Sequence, residues 1–144
     1  MTDIAFHVNL ADPEGYACRL LRKASASGAQ VVVVGDPAQL RALDQALWTF
    51  SPADFVAHAV AGATPAPVLA RTPVVLAPEA AAAPHRQVLV NLGEEVPAGF
   101  DGFDRLIELV GNDPAALDSA RRRWKHYQGS GHAPRKIDQK DVAA

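Results

Sequence analysis

The sequence predicts a single α/β domain, a mainly parallel sheet flanked by helices, with Rossmann-like topology but no nucleotide-binding motif. Three observations carry that prediction. Short continuous apolar runs such as "VVVV" (31–34) have the look of strands buried on both faces. Helical stretches separate these runs, which argues for right-handed β-α-β crossovers. The dipeptide Asp-Pro recurs at 12–13, 36–37 and 113–114, each time just ahead of a helical pattern. Aspartate caps a helix and proline pre-sets the first helical φ, so each pair reads as a helix start.

In chain order, "DIAFHVNL" (3–10) is apolar enough for a first strand. After Asp12-Pro13, Tyr16, Leu20 and Lys23 follow helical spacing, as do Ala17, Leu21 and Ala24, and Gly28 is the expected terminator. "QVVVVG" (30–35) is the second strand and "DPAQLRALDQALW" (36–48) the second helix. The stretch 49–86 holds more than half of the eleven prolines and reads as loops around short strands, the clearest being "PVVLA" (73–77). "QVLVNLG" (87–93) and "FDRLIELV" (103–110) are further strands, although the latter's composition also suits a helix. "NDPAALDSARRRWKHYQGSG" (112–131) carries the third Asp-Pro start and ends at a Gly-Ser-Gly stop. Residues 1–131 are thus expected to form the domain. "HAPRKIDQKDVAA" (132–144) is polar and without periodicity, and is expected to fray as a flexible tail.

Several chemistries lack their residues. "VVVVGDPAQL" (31–40) resembles the second nucleotide motif of some helicase ATPases, but no G-x-x-x-x-G-K-[ST] or G-x-G-x-x-G loop accompanies it to cradle phosphates. Asp36-Pro37 is therefore read as a helix cap. The five histidines are scattered without metal-ligand spacing, and a single cysteine, Cys18, excludes an internal disulfide and a cysteine metal cluster. Cys18 sits in a helical apolar pattern, as a buried thiol does. Glu94-Glu95 falls in a Gly/Pro-bounded turn, where exposed acids are ordinary. No catalytic constellation and no cofactor site emerges. No run reaches the roughly 18 apolar residues of a membrane helix, and the first residues lack a signal peptide's basic and apolar regions, so a soluble, cytoplasmic protein is expected.

Charge is unevenly spread. Residues 1–120 carry a net −7, whereas residues 121–144 carry +5. Such asymmetry points to an anionic partner. The basic end contains "SARRRWKHY" (119–127), where two aromatics accompany four cations. At about 100° per residue, Ala116, Ala120 and Tyr127 form a narrow strip of the last helix that can lie on a sheet. Trp124, Leu117, Arg121 and Lys125 follow beside it. Trp124 then stands at the border of core and solvent with Arg121 and Lys125 on its open side. An apolar wall beside two cations suits a peptide's C-terminus with an apolar last side chain. It equally suits a stacked base and its phosphates. The net −7 of the body opposes a nucleic-acid track across it, so little or no direct DNA binding is expected. A second aromatic group, Trp48, Phe50 and Phe55 in "ALWTFSPADFV" (46–56), is either the lid of the core or an exposed partner patch.

The ordered stretches "YACRLLRKA" (16–24), "LDQALWTFSPADFVAH" (43–58), "VLVNLGEEVPAGFDGFDRLIELV" (88–110) and "ARRRWKHYQGSG" (120–131) are similar to the chi subunit of the bacterial DNA polymerase III holoenzyme. The resemblance implies a non-catalytic adaptor of the clamp-loader assembly, monomeric or paired with the psi subunit. It further implies binding of the acidic C-terminal tail of single-stranded-DNA-binding protein. Carried onto this sequence, the tail site would use Arg121, Trp124 and Lys125, with Val110 closing the apolar side. The psi-facing surface would use Trp48 and Phe55. The chain departs from the family pattern at His7, where Tyr is usual, at Ala57, where Pro is usual, and throughout 132–144. The alternative function is a domain that binds single-stranded nucleic acid directly.

Overall fold

The computed structural model describes residues 2–49 and 56–138. Seven strands form one sheet: β1 (Asp3–Leu10), β2 (Val31–Val34), β3 (His58–Val60), β4 (Val74–Ala77), β5 (Val88–Asn91), β6 (Arg105–Gly111) and β7 (Arg135–Asp138). Their order is β3-β4-β2-β5-β6-β1-β7, and every pairing is parallel. Four α-helices accompany them: α1 (Pro13–Ala26), α2 (Pro37–Thr49), α3 (Ala66–Arg71) and α4 (Pro114–Gly129). The mainly parallel α/β domain expected from the sequence is therefore the observed one.

All three Asp-Pro pairs start helices. Asp12 accepts a hydrogen bond from the Gly15 amide at 3.1 Å, and Asp113 accepts from the Ala116 amide at 3.2 Å. At α2 the cap is reciprocal. Asp36 Oδ1 accepts from the Gln39 amide at 2.8 Å, while Gln39 Oε1 accepts from the Asp36 amide at 3.0 Å. This is a capping box with Asp in the first place and Gln in the second. Gln39 also donates to the Leu92 carbonyl at 2.8 Å, tying α2 to the end of β5. The helicase-like look of "GDPAQL" is thus accounted for by helix capping.

Alternation along the strands splits the core into two layers, as expected where both faces of a parallel sheet are covered. Val31, Val33, Val74, Leu76, Ile107 and Leu109 face α1 and α2, meeting Ala17, Cys18, Leu21, Leu40 and Leu43. Val32, Val34, Val75, Leu89, Leu106 and Val110 face the other way, with Phe100, Ala120 and Tyr127. The small and branched side chains fill these layers with few aromatics, consistent with an Ala- and Val-rich sequence.

Three features differ from the sequence reading. The proline-rich middle contributes a strand and a helix of its own, β3 and α3, both too short for a periodic signal. Residues 132–138 do not fray in the structure: residues 135–138 form β7, an edge strand beside β1. The paired residues are Ala5 with Arg135, Phe6 with Lys136, His7 with Ile137 and Val8 with Asp138. An edge strand needs only one apolar face and one pairing partner, so its sequence can stay polar.

The third difference lies inside the basic cluster. Arg123 does not join the cationic surface but turns inward, 4% exposed, with its ε-nitrogen 3.2 Å from Glu108 on β6. Glu108 is fully buried and accepts from Tyr127 Oη at 2.5 Å and from Asn91 Nδ2 at 2.9 Å. Arg123 further donates to the Glu94 carbonyl at 3.1 Å and to Ser119 Oγ. Burial pushes the Glu108 carboxyl above its ordinary range, against the pull of Arg123 and the two hydrogen-bond donors. Removing one partner of a buried pair leaves an uncompensated charge and typically costs about 3–5 kcal/mol. Arg123→Ala should therefore lower the melting temperature by roughly ten degrees. Arg122→Ala, one residue away in an exposed i,i+4 pair with Asp118, should leave it nearly unchanged; differential scanning calorimetry of the two variants checks the contrast.

Candidate functional site

Helix α4 lies on the sheet through Ala120 and Tyr127, with Ser119 and Arg123 buried on the same side. This orientation turns Arg121 and Lys125 out to solvent and leaves Trp124 half-buried, against the core. The Trp124 ring stands 5.1 Å from Phe6 of β1, centroid to centroid. Beside it opens a cleft of about 560 Å³. Phe6, Val8, Val110 and Leu117 make its apolar floor, and Arg121, Trp124 and Lys125 make one wall. All four residues expected at a tail site, Val110, Arg121, Trp124 and Lys125, thus border one cleft. Val110 is 1% exposed, so it offers a floor and no reachable edge.

Chemically, the cleft pairs an apolar floor with two cations on one rim. Arg121 presents a planar fork suited to a carboxylate, whereas Lys125 supplies a compact charge. A ligand carrying an apolar group next to an anion matches both halves. Sequence periodicity located the helical wall. It gave no hint that β7 would supply the opposite wall, where Lys136 and Asp138 line the cleft.

The second expected surface is only partly within the described residues. Phe55 lies outside them. Trp48, on the last turn of α2, is 59% exposed. Its indole is 5.0 Å from the His58 ring, centroid to centroid. His58 is itself buried between the Val56 carbonyl at 2.8 Å and Asp44 of α2 at 2.9 Å. His58 thus clamps the start of β3 to α2 and gives the exposed indole a firm base. Trp48 is not a lid over the core.

Elsewhere the geometry offers less chemistry. A cleft of about 480 Å³ opens beyond the carboxyl ends of β2 and β5, where α/β sheets commonly bind ligands. Asp36, Glu79, Glu94 and Glu95 ring it. Four carboxylates repel a phosphate, and Asp36 is engaged in capping α2. Cys18 is buried, and burial together with Glu14 and Asp12 pushes its thiol up to about 11, so it stays a thiol at neutral pH. Among the described residues, no group of three or more His, Cys, Asp or Glu is placed to hold a metal ion. Among the same described residues, no helix is long and apolar enough to cross a membrane.

Comparison with known proteins concerns the chain as a whole. The family described as "DNA polymerase III chi subunit, HolC" matches residues 1–135. A DNA polymerase III subunit chi of Pseudomonas aeruginosa is 36% identical over 137 residues, covering 92% of this chain and 93% of that protein. The corresponding subunit of Haemophilus influenzae is 31% identical over 121 residues, covering 82% and 81%. That of Escherichia coli is 27% identical over 124 residues, covering 85% and 82%. Among solved structures, the C-terminal domain of the DEAD-box protein Dbp5 superposes with a TM-score of 0.62 at 13% identity, over 99% of this chain and 92% of that one. That likeness concerns the fold alone.

The exposure of Trp48 sets an expectation for its removal. A buried indole replaced by Ala costs about 3–5 kcal/mol. Trp48→Ala should instead shift the melting temperature by only a degree or two, the response of a surface substitution. Thermal denaturation by circular dichroism checks this, and a drop above ten degrees would make Trp48 part of the packing.

Proposed function

This chain belongs to the DNA polymerase III chi-subunit family, and we propose that it works there as a non-catalytic adaptor for single-stranded-DNA-binding protein. In this reading, the cleft beside α4 takes the acidic C-terminal tail of that protein. The observation that carries the proposal is the meeting of Val110, Arg121, Trp124 and Lys125 around one cleft with an apolar floor. The tail's last apolar side chain would lie over Val110 and against the Trp124 and Phe6 rings. Its terminal carboxylate would take charge-assisted hydrogen bonds from Arg121, with Lys125 adding to the local field. Such a contact is small, and modest affinity follows. An oligomer with several tails would hold the adaptor by avidity, because the second tail binds at a high effective concentration.

The exposed indole of Trp48 supports a second contact, with the psi subunit. Phe55, seven residues on in the sequence, would belong to the same surface. Trp48 offers a large, rigid apolar area whose base is already fixed by His58, so little side-chain entropy is lost on docking.

Replacing Arg121 by Ala removes a charge-assisted contact worth roughly 1.5–3 kcal/mol. Binding of a peptide with an acidic run ending in Pro-Phe should weaken about tenfold or more in isothermal titration calorimetry. Affinity of the unaltered chain should also decline as salt rises, because the peptide is anionic. Unchanged affinity in Arg121→Ala would refute the site. Tight binding of a single-stranded oligonucleotide by the domain, lost in Trp124→Ala, would favour direct nucleic-acid binding instead.

A further inference from the structure

Helix α4 makes only one wall of the cleft. The other is β7, drawn from a segment that the sequence gives no reason to order. Besides its pairing with β1, contacts at both ends fasten it. Arg135 holds Asp3 through two bonds, Nε to Oδ1 at 3.2 Å and Nη2 to Oδ2 at 3.0 Å. At the other end, Asn9 Nδ2 donates to Asp138 at 3.3 Å. Alternation then sends Arg135 and Ile137 to one face, and Lys136 and Asp138 to the face that carries α4.

Register fixes where Lys136 stands. Asn91, Glu108, Phe6 and Lys136 are Cα partners in successive strands, a single row across the sheet. Above that row, Tyr127 and Arg123 of α4 meet Glu108, and Trp124 meets Phe6. The next position outward belongs to Lys136, at the level of Trp124 and beyond the edge of the helix. Its side chain is exposed, and none of the described ion pairs involves it. Asp138 lines the same cleft one strand repeat further along, engaged by Asn9. The β7 wall is therefore positive beside Trp124.

We propose that Lys136 is a specificity-determining residue of this cleft, reading an acidic side chain of the bound peptide upstream of its terminal carboxylate. The proposal rests on the tail-binding reading of the cleft. Arg121 and Lys125 act from the helix on the peptide's end. Lys136 acts from the strand, so the peptide lies between α4 and β7 with carboxylates on two sides. A third cation, outside the helix, also lets the cleft discriminate an acidic peptide from a neutral one with the same apolar end, because Arg121 and Lys125 are occupied with that end.

The test is a double-mutant cycle by calorimetry on the full chain, with two peptides ending in Pro-Phe. One carries an upstream acidic run, and the other has each acid replaced by its amide. Lys136→Glu should weaken the acidic peptide several-fold, since losing an exposed ion pair costs up to about fivefold and the new carboxylate repels the acidic run, and leave the amide peptide nearly unaffected. Arg121→Ala should weaken both peptides. Thermal melting of Lys136→Glu at the unaltered temperature would show that β7 still docks. If β7 is lost instead, Lys136→Gln supplies the same comparison without charge reversal. Equal weakening of both peptides, or of neither, by the Lys136 variants would overturn the proposal while leaving the tail reading intact. Failure of the unaltered chain to bind either peptide would overturn both.

Discussion

One carboxylate constrains the face of the molecule that carries the cleft. Glu108 sits at the middle of β6, fully buried, and a charge there is costly unless paired and hydrogen-bonded. Three partners from two elements surround it: Arg123 and Tyr127 from α4, and Asn91 from the neighbouring strand. The Tyr127 hydroxyl is in turn driven above its ordinary range by burial and by the carboxylate, so it remains a donor. Asn91 also accepts from the Gly93 amide and donates to the Glu95 carbonyl, while Arg123 and Ser119 bond the Glu94 carbonyl. The loop after β5 is thereby tied into the same network. Replacing such a network wholesale with apolar side chains could be neutral for stability. What it adds is specificity of arrangement. Helix α4 can satisfy Glu108 at only one rotation about its axis and one height along the sheet.

The functional surface follows from that constraint. With Arg123 and Tyr127 pointing down, helical geometry turns Arg121 and Lys125 upward and stands Trp124 at the margin. Three consecutive arginines consequently do three different things. Arg121 borders the cleft, Arg122 is an exposed partner of Asp118, and Arg123 anchors the helix. If the cleft takes a peptide as proposed, a wall built on a helix held in this way is pre-organised, so less binding energy is lost to ordering it.

The extent to which this was legible in the sequence varies with the range of the signal. Helix starts rest on local chemistry, and each Asp-Pro pair carried its own evidence. Buried strands such as 31–34 declare themselves because both their faces are apolar. The inward turn of Arg123 had a signal too, since it falls three residues after Ala120 and four before Tyr127, inside the buried arc. Charge favours a solvent reading of any arginine, and only its partner overrides that. The partner, a lone glutamate within "LIELV", lies 15 residues away in sequence. β7 had no local signal at all. Its order depends on pairing with β1, more than 120 residues earlier, and on Asp3 and Asn9 to hold its ends. Lys136 was accordingly invisible as a residue lining the cleft, although Arg121, Trp124 and Lys125 on α4 were not. β3 and α3 stayed hidden for a related reason, being three and six residues long.

The strand order also bears on how two partners could be held at once. Trp48 rises from α2, which packs on one face of the sheet, and rests on His58 of β3, the strand at one edge. The cleft lies on the opposite face, walled by β7 at the other edge. With strands about 4.8 Å apart, the two edges of a seven-stranded sheet are separated by on the order of 30 Å. Neither surface shares a side chain with the other, and a parallel sheet covered on both faces is a stiff spacer between them. A partner on Trp48 therefore has no steric reason to disturb a peptide beside Trp124. On the proposed function this independence would be useful in itself: the chain would remain fixed to one assembly through α2 while the α4 cleft exchanged tails at a rate set by that cleft alone.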